Sequence, residues 1–260
     1  LSLFAQDNWK ATQRLTLTYG LRWELNTPPT EGSGNDPVTV LGLENPATAT
    51  IAPRGTPLWE TTYNNFAPRI GLAYRLIQQP GSETMLRGGF GIFYDLGSGS
   101  ISNAFGNAYP YTALKSFPGG TAFPLAPADR LPPTNPTRTP FYVFEPNIQL
   151  PRTYQWTFTV EQALGSNQSL SSSYVAALGR KLLREDTLFG TTFGGTLNPS
   201  VFPGTAQVIV TRNTATSDYH AMQLQFQRRL SQGLQTLLSY TWAHSIDIAS
   251  NDSFNINTPA

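Results

Sequence analysis

The chain contains no cysteine in 260 residues, which excludes disulfides, thiol catalysis and zinc–thiolate sites, and permits an oxidising compartment without requiring one. It has only two histidines, His220 and His244, and two imidazoles without supporting thiols make a weak case for a metal centre. Charge is scarce: Asp, Glu, Lys and Arg make up 13% of the residues, against roughly 25% in an average soluble domain. The formal net charge of +1 gives no general attraction to nucleic acid. No apolar run approaches the roughly 18 residues of a transmembrane helix. What is missing is therefore the material for a highly charged surface, a thiol site and a helical membrane anchor.

What is present is alternation. Residues 15–26 read LTLTYGLRWELN, with a large apolar residue at every second position of 15–25 and Thr16, Thr18, Gly20, Arg22, Glu24 and Asn26 on the other rank. Strict period-2 alternation is the signature of a two-faced β-strand. Soluble strands run about 5 to 6 residues. Twelve residues at about 3.3 Å each, tilted near 45°, rise roughly 28 Å, which matches the apolar band of a membrane barrel. The pattern recurs at 66–76, 86–95, 153–164, 169–179, 219–230 and 234–245, and the chain opens on a further strand with Leu1, Leu3 and Ala5 on one face.

Alternation alone does not say whether the apolar rank meets a soluble core or lipid. Composition favours lipid, because the polar ranks are built of Thr, Ser, Gln, Gly and Ala rather than Lys and Glu. A cation at mid-bilayer on the lipid face costs about 2 to 4 kcal/mol. The apolar ranks carry one, Arg228, two residues before a turn, where it can snorkel to the interface. Connections also alternate. Short links at 10–14, 77–83, 165–168 and 231–233 contrast with long ones at 27–65, 96–152 and 181–217, and soluble domains rarely hold several structureless loops beyond about 15 residues. The long links carry most of the prolines, as in residues 131–140. They also carry Trp59, Tyr109, Tyr111, Phe117, Phe123, Phe141, Tyr142 and Phe144, enough aromatic surface to fold over a mouth or meet a ligand. Aromatics mark interfaces: Trp23, Tyr94, Tyr154, Trp156, Tyr219, Tyr240 and Trp242 are expected next to the long loops, and Trp9 at a short-turn end.

The expected fold is all-β: an antiparallel transmembrane β-barrel segment of about eight strands with short periplasmic turns and long extracellular loops, in the outer membrane of a Gram-negative type cell. Residues 1–260 read as one partial barrel domain, since the chain starts in mid-strand with Leu and ends in a loop. Two rivals remain at this level. One is a closed eight-stranded barrel acting as an adhesin or structural protein, which would pair residues 1–10 with 234–245. The other is a soluble carbohydrate-binding sandwich with its apolar ranks inside.

Enzyme signals are poor. The GGFG string at 88–91 lies within a strand with no helix after it, so it offers no helix N-terminus to a phosphate. Small residues in a crowded inner row explain it better. Asp247, Asn251, Asp252 and Asn255 lack the glycine and closing glutamate of a calcium loop, and the sequons at Asn167 and Asn251 mean little in a bacterial outer membrane. No catalytic residue, metal ligand or cofactor is expected. The site-like groups are the charges of the inward rank, Arg22, Glu24, Arg69, Arg75, Arg87, Asp95, Glu161 and Arg229, which in a lumen must pair with one another or meet water, plug or substrate. Cross-strand ion pairing that fixes register is the simpler role for them.

Several strings together resemble TonB-dependent outer-membrane receptors: FAQDNWK (4–10), LTLTYGLRWE (15–24), NNFAPRIGLAY (64–74), LRGGFGIFYD (86–95) and LLSYTWAHSID (237–247). The likeness is greatest to the Oar-like group, which carries an N-terminal carboxypeptidase-regulatory-like domain. It covers nearly all the strands and the loops poorly. It implies part of a barrel of roughly 22 strands, embedded in outer-membrane lipid, that imports a scarce and bulky small or oligomeric nutrient. The partners it implies are the receptor's own plug domain and the TonB system of the inner membrane.

Overall fold

A computed structural model describes residues 1–34, 36–95, 106, 123–131, 140–231 and 233–248. Tyr109, Tyr111, Phe117, residues 132–139 of the proline-rich run, and Asn251, Asp252 and Asn255 lie outside the described residues. The strands in chain order are β1 (Ser2–Lys10), β2 (Leu15–Glu24), β3 (Val40–Leu41), β4 (Thr50–Ile51), β5 (Phe66–Ile77), β6 (Thr84–Tyr94), β7 (Phe141–Phe144), β8 (Arg152–Leu164), β9 (Gln168–Phe189), β10 (Gln207–Ser231) and β11 (Leu234–Asp247). Eight of them form one antiparallel meander in the order β1-β2-β5-β6-β8-β9-β10-β11. No helix among the described residues is long and apolar enough to cross a membrane.

Turn chemistry sets the meander. The tight links place Gly81, Gly165 and Gly233 at φ of 80°, 74° and 77°, a left-handed conformation that glycine adopts without steric cost. All tight turns lie at one end of the sheet and all long links at the other, the arrangement of an outer-membrane barrel with its loops outside.

Register carries the two ranks unbroken from edge to edge. One row runs Asp7, Tyr19, Ile70, Phe90, Trp156, Ala176, His220, His244. The row beside it, on the opposite face, runs Asn8, Thr18, Gly71, Gly89, Thr157, Val175, Ala221, Ala243. A slip of one residue at any ladder would exchange the faces. Of the GGFG string, Gly89 and Gly91 stand on this polar face, whereas Gly88 lies on the apolar one between Leu72 and Phe158, so the expectation of an inner row of small residues holds for two of its three glycines.

β9 and β10 depart from expectation. The alternation predicts strands over 169–179 and 219–230 with a loop between them, yet β9 has 22 residues and β10 has 25. At about 3.3 Å per residue the longer one reaches roughly 80 Å, far beyond an apolar band of about 25 Å. Their upper halves form a paired hairpin outside the membrane, where Glu185 faces Thr211 and Leu188 faces Val208. Outside lipid a strand can carry charge, so the Arg184, Glu185 and Asp186 run that reads as a loop continues the strand. The ladder shifts register between Arg212 and Ser217, and Lys181 takes φ 56°, so the bend coincides with the change of environment.

Above this bend β7 pairs in parallel with β10 over Phe141–Phe144, on the edge that β11 uses lower down. All three long links then meet in one hydrophobic core: Val40, Leu43 and Ala49 from the first, Phe141 and Val143 from the second, Leu197, Phe202, Ala206, Val208 and Val210 from the third. Val208 and Val210 are 0% exposed. A satellite cluster adds Leu58, Trp59, Phe144 and Ile148. The large apolar residues of the sheet behave oppositely, with Ile70 56% and Trp242 69% exposed. The aqueous-type core thus sits in the loops and the long strands present a bare apolar rank, the reverse of a soluble sandwich.

Candidate functional site

The polar rank holds the charged candidates at three heights. Near the loop end Arg22 Nε pairs with Glu24 Oε1, and the buried Glu24 is fixed by Asn65, whose Nδ2 donates to the Glu24 carbonyl at 3.1 Å. Asp95 follows β6 directly, its backbone N donating to Pro151 O at 2.9 Å. At mid-height the Arg69 guanidinium lies 4.4 Å from the centroid of the Phe93 ring. Gly91 faces Arg69 across the ladder, and a Cβ there would stand 2.9 Å from Phe93 Cε2, so the glycine leaves room for the stacked pair. Further down Arg87 Nε donates to Glu161 Oε1 at 3.0 Å, joining β6 to β8 diagonally. Arg75 faces Met85 near the tight-turn end, and the Arg229 backbone N donates to Asn167 O at 2.8 Å. These groups are spread along the wall and do not converge on one ligand.

Among the aromatics, Trp23 Nε1 donates to Tyr63 O in the first long link at 2.7 Å, and the Tyr94 hydroxyl donates to Phe66 O at the start of β5 at 3.5 Å. Arg152 covers Tyr154 at 5.8 Å, and Trp156 meets His220 edge-on at 6.3 Å. Trp9 lies at the tight-turn end opposite Leu17. Trp242 faces Met222, and Tyr240 faces Leu224 closer to the tight turns than its grouping with the loop ends suggests. Tyr219 faces Ala177 and Ser245, which puts it on the polar rank rather than with the apolar aromatics.

The cap holds a cavity of about 510 Å³ whose walls include Thr39, Leu58, Trp59, Glu60, Tyr63 and Phe144. Trp59 meets Phe144 edge-to-face at 4.9 Å and anchors its floor. Sequence reading identifies the loop aromatics as surface able to fold or bind, but misses Glu60, whose backbone N donates to Pro146 O at 2.8 Å and sets the carboxylate beside the cavity. No local pattern marks that pairing, because it joins two links far apart in the chain. Beside this cluster burial, and secondarily the Glu185 carboxylate, raise the pKa of Tyr142 above its ordinary 10.0. Among the described residues no group of three or more His, Asp or Glu side chains is placed to hold a metal ion.

A bare apolar rank of membrane length, tight turns at one end and a folded cap at the other define an outer-membrane β-barrel wall. The chain belongs to the outer membrane beta barrel domain family, whose model matches residues 1–260, and its place is the outer membrane. No curated protein matches it. Two solved structures are similar over most of its length: the copper transporter OprC, at 14% identity and TM-score 0.46 over 93% of this chain and 29% of that one, and the outer membrane transporter YddB from Escherichia coli, at 11% and 0.39 over 94% and 33%. The chain thus spans about a third or less of the length of either.

Proposed function

We propose that this chain is an arc of the barrel of a TonB-dependent receptor of the Oar-like type, which captures a bulky nutrient on its cap and passes it through the lumen once a plug domain rearranges. The observation that carries this reading is the open sheet. β1 and β11 occupy its two ends, and no ladder joins them among the described residues. A closed eight-stranded barrel needs that ladder. Two long strand edges left unpaired in hydrocarbon are untenable, since each unsatisfied backbone group costs several kcal/mol there. Further strands that complete the ring give a barrel wide enough for a plug and a lumen.

In this reading the polar rank lines the lumen, with the Arg22–Glu24 and Arg87–Glu161 pairs bracing the wall, and the role is not enzymatic. The cap cavity supports a substrate class. Among the described residues its walls carry one carboxylate, Glu60, and no basic side chain, beside aromatic, proline and threonine surface. That lining favours a neutral or amine-bearing apolar compound, such as a short peptide, over an anionic one. The test is uptake of labelled apolar tetrapeptides by cells carrying the full-length receptor or a deletion of it. Receptor-dependent accumulation that collapses when the proton-motive force is dissipated, and that falls for Glu60→Gln with amine-bearing peptides but not with N-acetylated ones, is the expected result. Accumulation indifferent to receptor and proton-motive force overturns the import reading, and receptor-dependent loss of peptide from the cell reverses its direction.

A further inference from the structure

The lipid-facing rank is mostly apolar, with Asp7, Gln162, Ser172 and Arg228 among the exceptions. At the loop end of β8–β11 it is not. Arg152 and Arg180 face each other across one ladder, and one step lower Asp218 faces Leu178 and Ile246. The next row down pairs His220 with His244, directly opposed. These side chains share the face of Tyr154, Trp156 and Trp242, since strand residues two apart point the same way.

The charges in this patch do not balance internally. Arg180 is paired with Asp218: its Nη1 lies 2.5 Å from Asp218 Oδ1, 2.8 Å from Gly179 O and 3.1 Å from Ser217 O. That consumes the one carboxylate. Arg152 lies over the Tyr154 ring, and among the described residues no carboxylate pairs with it. The positive charge of this guanidinium is therefore free to take an anion from outside the protein as a charge-assisted partner. Below it the His220 ring stacks on Tyr174 at 6.2 Å, with its Nδ1 held 2.8 Å from the Tyr174 hydroxyl, an arrangement that fixes the imidazole. Directly beneath the histidines a groove of about 380 Å³ opens on the same face between Phe158, Val160, Met222 and Trp242.

A cationic head site over an apolar groove, on a surface that the membrane covers, has one fitting occupant. We infer that this rim binds a phosphate-bearing lipid of the outer leaflet, with its phosphate on Arg152 and the His220–His244 pair and an acyl chain in the groove beneath. Guanidinium and phosphate match as a charge-assisted, two-pronged pair. A cation costs about 0 to 1 kcal/mol near the interface of a barrel, against about 2 to 4 at the midplane, so this height is where such a site can stand. A free phosphate would satisfy Arg152 and leave the groove unused, and basic pockets beside membrane-spanning segments recognise lipid headgroups on these same grounds.

The test is native mass spectrometry of the full-length protein extracted from its own outer membrane in mild detergent, counting retained phosphorylated lipid. Folding of each variant is checked by heat-modifiable gel migration. The wild type is expected to keep one such lipid, and Arg152→Gln to reduce its occupancy about tenfold, as loss of a charge-assisted bond implies. Arg54→Gln, the same charge change on an exposed loop residue, should keep the lipid. If Arg152→Gln fails to fold, Trp242→Ala serves instead and should lose the lipid by emptying the groove wall. Equal retention by wild type, Arg152→Gln and Trp242→Ala overturns the site. So does equal exchange of phosphorylated and dephosphorylated lipid, which marks plain annular contact, or displacement of the lipid by millimolar inorganic phosphate, which marks a free-anion site. The assay contains no uptake step, so its failure leaves the transport reading untouched.

Discussion

At the scale of single residues, the stacked trio of Gly91, Phe93 and Arg69 makes the sharpest case. A Cβ at Gly91 collides with Phe93, whereas one at Gly89 meets Thr157 Cγ2 at 3.6 Å and Ile70 O at 3.8 Å, both ordinary contacts. Gly91→Ala is therefore expected to displace the ring from Arg69 and cost about 1 to 3 kcal/mol, and Gly89→Ala to be tolerated. Urea unfolding in detergent, followed by the folded gel band, separates the two. Tyr142 gives a pH prediction. Its folded pKa lies above 10.0, so the cap keeps its full stability at lower pH and loses it as pH rises through the folded value. Fluorescence of the neighbouring Trp59 should report cap loosening above pH 10 in the wild type, and a flatter response in Tyr142→Phe. Faces were legible in the sequence because alternation depends only on a residue's own strand. Partners were not: Arg87 reaches Glu161 and Arg69 reaches Phe93 only once register and rotamers are set. Tyr219 shows the limit of composition, since an aromatic beside a loop reads as interface whichever rank it occupies.

At the scale of elements, the strands that cross the membrane follow the sequence pattern closely, because lipid on one side and polar groups on the other enforce strict alternation. The upper halves of β9 and β10 escaped it because both faces there meet water or the cap core. The β-branched run Val208, Ile209, Val210, Thr211 was the available signal, and its valines point into a core built by other links. What holds the bend between the two regimes is Asn213. Its Nδ2 donates to Lys181 O at 2.6 Å and Gln149 O at 2.9 Å, and its Oδ1 accepts from Gln149 N at 2.6 Å. One side chain thus ties the left-handed residue of β9 to the segment leading into β8. Asn213→Ala removes all three bonds and should cost the cap about 1 to 3 kcal/mol. Amide hydrogen exchange is expected to accelerate in β7 and the upper parts of β9 and β10, while the membrane-level ladders stay protected. Uniform acceleration over the whole sheet would contradict this division.

At the scale of the whole molecule, two parts of one chain answer to different solvents, and substitutions should sort accordingly. The cap is stabilised as a water-soluble domain is: Phe202, 1% exposed and edge-to-face on Phe141 at 5.9 Å, fills a core against water. Phe202→Ala should cost about 3 to 5 kcal/mol, and that loss should fall on the cap. The sheet is stabilised by its surroundings instead. Ile70, 56% exposed, touches little of the protein, so in a water-soluble protein Ile70→Arg would be nearly neutral. In a membrane barrel the same change puts a guanidinium into the apolar band, at a cost that rises from about 0 to 1 kcal/mol at its rim to about 2 to 4 at its midplane. Thr157→Arg, on the opposite face at almost the same height, supplies the control, because its side chain points away from lipid. Folding into liposomes should fall for Ile70→Arg and persist for Thr157→Arg. The reverse order would turn the ranks around, placing the apolar face on the inside and the polar one against lipid.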